Sequence, residues 1–271
     1  MADESNDKPG RSDLLSALAG HFSGGLPIED LPKDAVGKLG EALDSGGLLR
    51  SELVAFWNLL EDGLGRTGYR RPSGEEIRLL NLACGPCFEG AVLASFFERS
   101  GSPGASRNTV RFFGMDLRGK EIDDAKRRYA TTEKVFKGLG FPSLHESDPT
   151  KPNHSSVEFF ADDATRLVGY REIPKEFEII FLRHQNVWHD RPVWGRIFGF
   201  ALDRLTDDGL MIITSYFDRE HLIALDLIKK LGGQVLLTLE SPDSLPLDYP
   251  GKSADRHLAI FQKPKSGITG V

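Results

Sequence analysis

The alternation of apolar and polar positions divides the chain into two unlike parts. From residue 75 onward, short apolar runs of strand length fall at 77–82, 110–116, 157–164, 177–183, 210–217, 234–240 and 256–263. Segments of helical period lie between most of them, at 89–97, 119–139, 192–205 and 219–231. FEIIFLR at 177–183 is apolar almost throughout, as suits a strand covered on both faces in the middle of a parallel sheet. The last two strands follow one another across a Pro-rich loop with no helix between them. That order predicts an α/β domain built on a doubly wound, mostly parallel sheet of seven strands, closed by a hairpin. Asp218 is expected to cap the helix over 219–231, and Gly232-Gly233 to stop it.

The first seventy residues read differently. Residues 1–12 are polar and expected to be disordered, and helical patterns follow at 13–22, 33–43 and 51–64 between Gly-Gly turns. Leu53, Phe56, Trp57 and Leu60 make one apolar stripe. The chain thus divides into 1–74, a disordered start and helical extension, and 75–271, the sheet domain. The stripe suits either a layer packed on the sheet or a lid over a ligand crevice.

The segment IRLLNLACGPCFEG, residues 77–90, is where chemistry is expected. An apolar strand runs into a small-residue turn that opens a helix, and the free N–H groups of a helix start favour an acceptor such as phosphate or carboxylate. A phosphate loop has the glycine spacing at Gly85 and Gly90, but Ala91 and Val92 stand where lysine and a hydroxyl are needed. The dinucleotide pattern GxGxxG is absent, since Phe88 falls at its third glycine. Cys84-Gly85-Pro86-Cys87 is a CxxC at a helix start, a candidate dithiol redox site, although the two cysteines also serve as small packing residues in a tight turn.

Composition narrows the classes. With 39% hydrophobic residues and a mean hydropathy of −0.29, the chain is an ordinary globular protein. No run approaches the roughly 20 apolar residues of a membrane span, and MADESNDKPGRSD is too polar for a secretory signal, so neither a membrane nor secretion is expected and the cytoplasm is. Two cysteines three apart make neither a disulfide framework nor a convincing zinc site, and no metal is expected. A net charge of −6 lacks the basic footprint of a nucleic-acid binder; Arg70-Arg71 and Lys126-Arg127-Arg128 read as solvated faces.

LLNLACGPCFEG resembles motif I of the class I S-adenosylmethionine-dependent methyltransferases, an apolar strand and an acidic residue followed by a loop of the type GxGxG. Three positions depart from it: Asn81 for the acid, Ala83 for the first glycine and Cys87 for the last. The resemblance spans roughly 75–263 and implies a Rossmann-like, class I methyltransferase-like sheet that binds S-adenosylmethionine. It assigns Asn81, Ala83, Cys84, Gly85, Cys87 and Arg183 to cofactor binding. Asp116, at the end of the second strand, is implied to accept both ribose hydroxyls, with Leu117 against the adenine. Asp162 or Asp163, followed by Ala164, is implied to accept the adenine amino hydrogen, Asp163 having alanine directly after it as in the family's usual form. Asp116 and Asp163 also suit helix caps.

RHQNVWHD follows the fourth strand into the crevice where substrate belongs, with His184, Asn186 and His189 as polar candidates. His184 is the candidate general base, since a neutral imidazole can take the proton of an attacking hydroxyl or amine; it also suits a packed or capping residue, and in-line positioning alone can carry methyl transfer. The Asn/Asp-Pro-Pro-Tyr/Phe motif of amide and exocyclic-amine methylation is absent, which counts against adenine and glutamine acceptors. The resulting expectation is methyl transfer to a small molecule rather than to nucleic acid. A cofactor-binding regulator or inactive homologue of the same fold, a CxxC dithiol protein and a nicotinamide-dependent reductase are the alternatives.

Overall fold

The computed structural model describes residues 10–22, 33–45, 47–71, 74–99, 106–138, 155–169 and 173–263. Three helices come first: α1 (Arg11–Phe22), α2 (Lys33–Ser45) and α3 (Ser51–Thr67). Strands and helices then alternate as β1 (Glu76–Leu82), α4 (Gly90–Glu98), β2 (Thr109–Asp116), α5 (Gly119–Gly138), β3 (Ser156–Ala161), a 3-10 turn (Ala164–Gly169), β4 (Phe177–Arg183), α6 (Arg191–Asp203), β5 (Leu205–Ser215) and α7 (Asp218–Lys230). The chain closes with β6 (Gln234–Glu240), a short ribbon of β7 (Leu245–Pro246) and β8 (Ser253–Ala254), and β9 (His257–Gln262).

The main sheet has seven strands in the order β3-β2-β1-β4-β5-β9-β6. Neighbours from β3 to β5 are parallel, whereas β9 lies antiparallel to both β5 and β6. The expected terminal hairpin is therefore present, with its second arm inserted between β5 and β6. This order with its one reversed strand is the class I methyltransferase fold. Between β1 and β4 the winding changes direction, and a crevice opens there at the carboxyl ends of the strands.

Alternation along each strand builds two cores. Ile77, Leu79, Phe112, Ile179, Phe181, Ile212, Leu258 and Ile260 face α1, α3, α4 and α5, while Leu80, Leu82, Phe113, Ile180, Leu182, Met211, Ile213 and Phe261 face α6 and α7. The N-terminal stripe belongs to the first of these. Leu53, Phe56, Trp57 and Leu60 are fully buried, with Phe56 5.4 Å from Phe181 and Trp57 edge-on to Phe96 at 5.0 Å. Gly63 permits this closeness, because a Cβ there would fall 2.4 Å from Leu258 Cδ2. A second tie runs through α1: His21 Nδ1 meets Glu98 Oε1 at 2.7 Å, and its Nε2 meets the Tyr129 hydroxyl at 2.8 Å.

Several local expectations need correction. The third strand stops at Ala161 rather than 164, because Asp163 turns its carboxylate to the N–H and hydroxyl of Thr165 and starts the 3-10 turn. The fifth strand begins at Leu205, with Thr206 to Gly209 bulged out between the pairs Phe177–Leu205 and Ile179–Leu210, and it releases Tyr216 and Phe217 from the sheet. Asp218 caps nothing: it pairs with Arg256 and His257, while Glu220 reaches back to the Tyr216 N–H at 2.9 Å. Helix α1 begins at Arg11, inside the stretch expected to be disordered, where Arg11 pairs with Asp44; residues 1–9 lie outside the described residues.

Candidate functional site

The turn after β1 holds the site together. Ala83, Gly85 and Cys87 have φ of 52°, 55° and 48°, so the three glycine positions of GxGxG all adopt the left-handed conformation although one alone is glycine. The turn is pinned by Cys84 N–H to Met115 O at 3.0 Å and Cys87 N–H to Cys84 O at 3.0 Å. Left-handed backbone costs a residue with Cβ roughly 1–2 kcal/mol, and glycine returns part of that in unfolded-chain entropy. Ala83→Gly is therefore expected to stabilise the chain by about 0.5–1 kcal/mol, measured by urea denaturation. A loss of stability would show that the Ala83 methyl contributes more by packing than its backbone loses by strain.

Asn81, where the family has an acid, is fully buried and gives its Nδ2 to Glu89 Oε1 at 2.7 Å. The carboxylate missing at 81 is supplied by Glu89. Arg183, at the end of β4, lies behind it: Nη1 is 3.4 Å from Glu89 Oε2, Nε and Nη2 reach Asp255 at 3.0 and 2.6 Å, and the guanidinium stands over Phe56 at 4.9 Å. Burial alone would raise the Asp255 carboxyl, but the charge of Arg183 and the contact with His184 hold it well below the usual carboxylate range. Thr214 donates to the same carboxylate at 2.7 Å.

His184 has φ of 59° and its ring stacks on Tyr216 at 3.7 Å. Its Nε2 lies 3.0 Å from the Asp255 backbone N and 2.8 Å from Asp255 Oδ1, so Asp255 engages that nitrogen in either tautomer. Nδ1 has no partner among the described residues. These groups surround a cavity of about 380 Å³, lined by Ala83, Cys84 and Gly85 below, by Glu89, Arg183 and His184 on one wall, and by Arg50 and Glu52 from the start of α3.

The remaining predicted residues lie around this cavity rather than in its lining. Asn81 and Cys87 are buried under the turn. Asp116 takes the Gly85 N–H on Oδ2 at 2.8 Å, and its Oδ1 takes the Arg118 N–H at 2.9 Å and Nε at 3.0 Å. Leu117 beside it is 72% exposed. Asp162 is held against this strand end by its N–H to Asp116 O at 3.0 Å. Asp163 acts as a cap, its carboxyl lowered first by the Thr165 N–H and then by that residue's hydroxyl, and Ala164 is buried beneath. The structure thus gathers Ala83, Cys84, Gly85, Arg183 and His184 at one cavity and sets Asp116 to Ala164 along the adjoining strand ends.

Both cysteines are free and buried, and burial pushes the Cys87 thiol up, the reverse of what a reactive dithiol requires. Among the described residues no group of three His, Cys, Asp or Glu side chains is arranged to hold a metal ion, and no helix is long and apolar enough to cross a membrane. Sequence reasoning missed Arg50, Glu52, Tyr216 and Asp255. They arrive from a helix start and two loops, and no pattern in the sequence marks any of the four.

No family model and no curated protein matches this chain. Among solved structures it is similar to a TehB-like SAM-dependent methyltransferase from Corynebacterium glutamicum, 15% identical over 85% of this chain and 97% of that one with a TM-score of 0.48. It is similar also to an S-adenosylmethionine-dependent methyltransferase from Clostridium acetobutylicum, 9% identical over 76% of this chain and 89% of that one with a TM-score of 0.46. The N-methyltransferase NodS from Bradyrhizobium japonicum is 14% identical over 83% of this chain and 96% of that one, with a TM-score of 0.44. The fold is the class I methyltransferase fold, as its strand order and reversed strand state on their own.

Proposed function

We propose that this chain binds S-adenosylmethionine over the 83–87 turn and transfers a methyl group from it to a small-molecule acceptor. One observation carries the reading: three left-handed residues alternate at the end of β1, with the Asp116 carboxylate of the next strand drawn onto the central Gly85 N–H. The donor set suits the cofactor. Glu89 and Glu52 offer negative charge to a sulfonium and an ammonium, Arg50, paired with Glu52 at 2.8 Å, offers its remaining donors to a carboxylate, and Asp116, beside the cavity at the end of β2, is the candidate for the ribose. Bound there, the sulfonium supplies an electrophilic methyl group.

The protein's work is then to hold the reactants in line and to receive a proton. Placing the acceptor atom opposite the sulfur supplies most of the rate when the electrophile is already reactive. In the tautomer that donates its Nε2 proton to Asp255 Oδ1, His184 Nδ1 is open to take the acceptor's proton, and Asp255 positions the ring through Nε2. Arg118 covers the buried Asp116 carboxylate from the solvent side, its own side chain 62% exposed, so a ribose would have to take the place of the guanidinium there.

Calorimetry is expected to show binding of S-adenosylmethionine and S-adenosylhomocysteine and no heat with NADH. Asp116→Asn retains an acceptor for the Gly85 N–H but loses the charge, and should weaken cofactor binding by about 1.5–3 kcal/mol, roughly ten- to hundredfold. Binding of NADH in place of S-adenosylmethionine would overturn the reading.

A further inference from the structure

Beyond Tyr216 lies a second, more open space of about 610 Å³ that the chemistry above does not use. Its apolar side is a row of aromatic rings: Trp188 is 5.0 Å from Phe217 between centroids, and Phe217 is 5.9 Å from Tyr249 with the planes at 84°. Tyr249 leaves 64% of its surface to water, a large area for a ring that nothing covers. Arg219 and Lys252 line the same space. Neither has a carboxylate partner among the described residues; Lys252 Nζ rests 4.2 Å from the Tyr216 ring centroid. Of the acids next to the lining in sequence, Asp218 pairs with Arg256 and His257, Asp190 accepts the Val193 N–H and Glu220 accepts the Tyr216 N–H while its charge also acts on Lys252; Asp248, beside Tyr249, is exposed and does not line the space.

We propose that this cleft binds a planar aromatic anion, its ring among Trp188, Phe217 and Tyr249 and its carboxylate or phosphate on Arg219 and Lys252. Aromatic walls favour a flat apolar ligand by edge and face contact, and a lining with two cations and no carboxylate favours a negative group over an amine. The volume falls within the range of small-molecule clefts. Rings and cations together also suit single-stranded nucleic acid, but a chain of net charge −6 repels a polyanion more than it repels one carboxylate. That the ligand is the methyl acceptor rests on the reading above. The link is Tyr216, which lines the first cavity, stacks on His184 and carries Lys252 on its ring.

The test titrates 2-naphthoate into the full chain without cofactor, read by calorimetry and by quenching of the tryptophan emission that Trp188→Phe removes. The expected result is saturable binding at least tenfold tighter than that of uncharged 2-naphthol. A double variant, Arg219→Gln with Lys252→Met, should lose at least tenfold in affinity with an unchanged melting temperature. Tyr249→Ala, at an exposed ring, should weaken the same binding severalfold through lost contact alone. Comparing 2-naphthoate with 2-naphthyl phosphate identifies which anion the two cations prefer. Equal binding of naphthol and naphthoate, indifference to the double variant, or tighter binding of an oligo-dT that the same variant abolishes would each overturn the proposal. Cofactor calorimetry keeps the readings apart: naphthoate binding without S-adenosylmethionine binding preserves the cleft and removes methyl transfer, and the opposite result does the reverse.

Discussion

Asp255→Ala is expected to destabilise the chain by about 3–5 kcal/mol, the cost of breaking a buried ion pair from one side. At roughly 2–4 °C per kcal/mol for a domain of this size, the melting midpoint should fall by about 6–20 °C. The side chains of Arg183 and Asp255 are 8% and 4% exposed, so the guanidinium would keep only the longer contact to Glu89. Thr214 and His184 lose a partner in the same step. The pH dependence has a definite sign. A carboxyl held below its unfolded value contributes stability that is complete above the ordinary aspartate range, near pH ~3.9, and lost as pH falls toward its folded value. Parent and variant should therefore differ most at pH 7 and converge in acid, as differential scanning fluorimetry at both ends would show. A midpoint within about 1 °C of the parent at pH 7 would mean that solvent, not Asp255, balances Arg183.

Trp57→Ala should be comparably damaging and bears on how the first helices relate to the sheet. Truncating a buried aromatic costs about 3–5 kcal/mol, and the lower end applies here, because the indole Nε1 has no hydrogen-bond partner among the described residues and its removal relieves a buried orphan donor. Trp57→Phe should cost less than half as much, since it keeps the ring against Phe96. Chemical denaturation is expected to give a single transition for both variants. An unchanged midpoint, or two separate transitions, would show that α3 behaves as a detachable lid rather than as a layer of the core.

The sheet was legible in the sequence because its signals are local. Runs such as FEIIFLR have the length and apolarity of central strands, and the closing pair of strands without an intervening helix distinguishes this topology from a dinucleotide fold. The turn at 83–87 was legible for the same reason, although composition alone did not show that alanine and cysteine would adopt the glycine conformation. What could not be read were contacts made across long separations. Asp255 sits in a Pro-rich loop with no pattern of its own and becomes significant only when the chain folds it onto Arg183, 72 residues earlier. The acid expected at 81 was likewise found at 89, since a helix start brings Glu89 back over the strand end. Capping is the commonest use of an acid between strand and helix, and that competing role decides the carboxylate of Asp163 at Thr165.

The reversed strand β9 also sets an order of events in synthesis. Strand β6 has β9 as its sheet neighbour, and α3 lays Gly63 directly against Leu258 of β9. Translation at about 5–20 residues per second separates the completion of α3, at Thr67, from that of β9, at Gln262, by roughly 10–40 s. Throughout that interval the face of α3 turned toward the sheet has no β9 to cover it. Nascent chains stalled before residue 257 should accordingly recruit holdase chaperones, and those extended past residue 262 should release them.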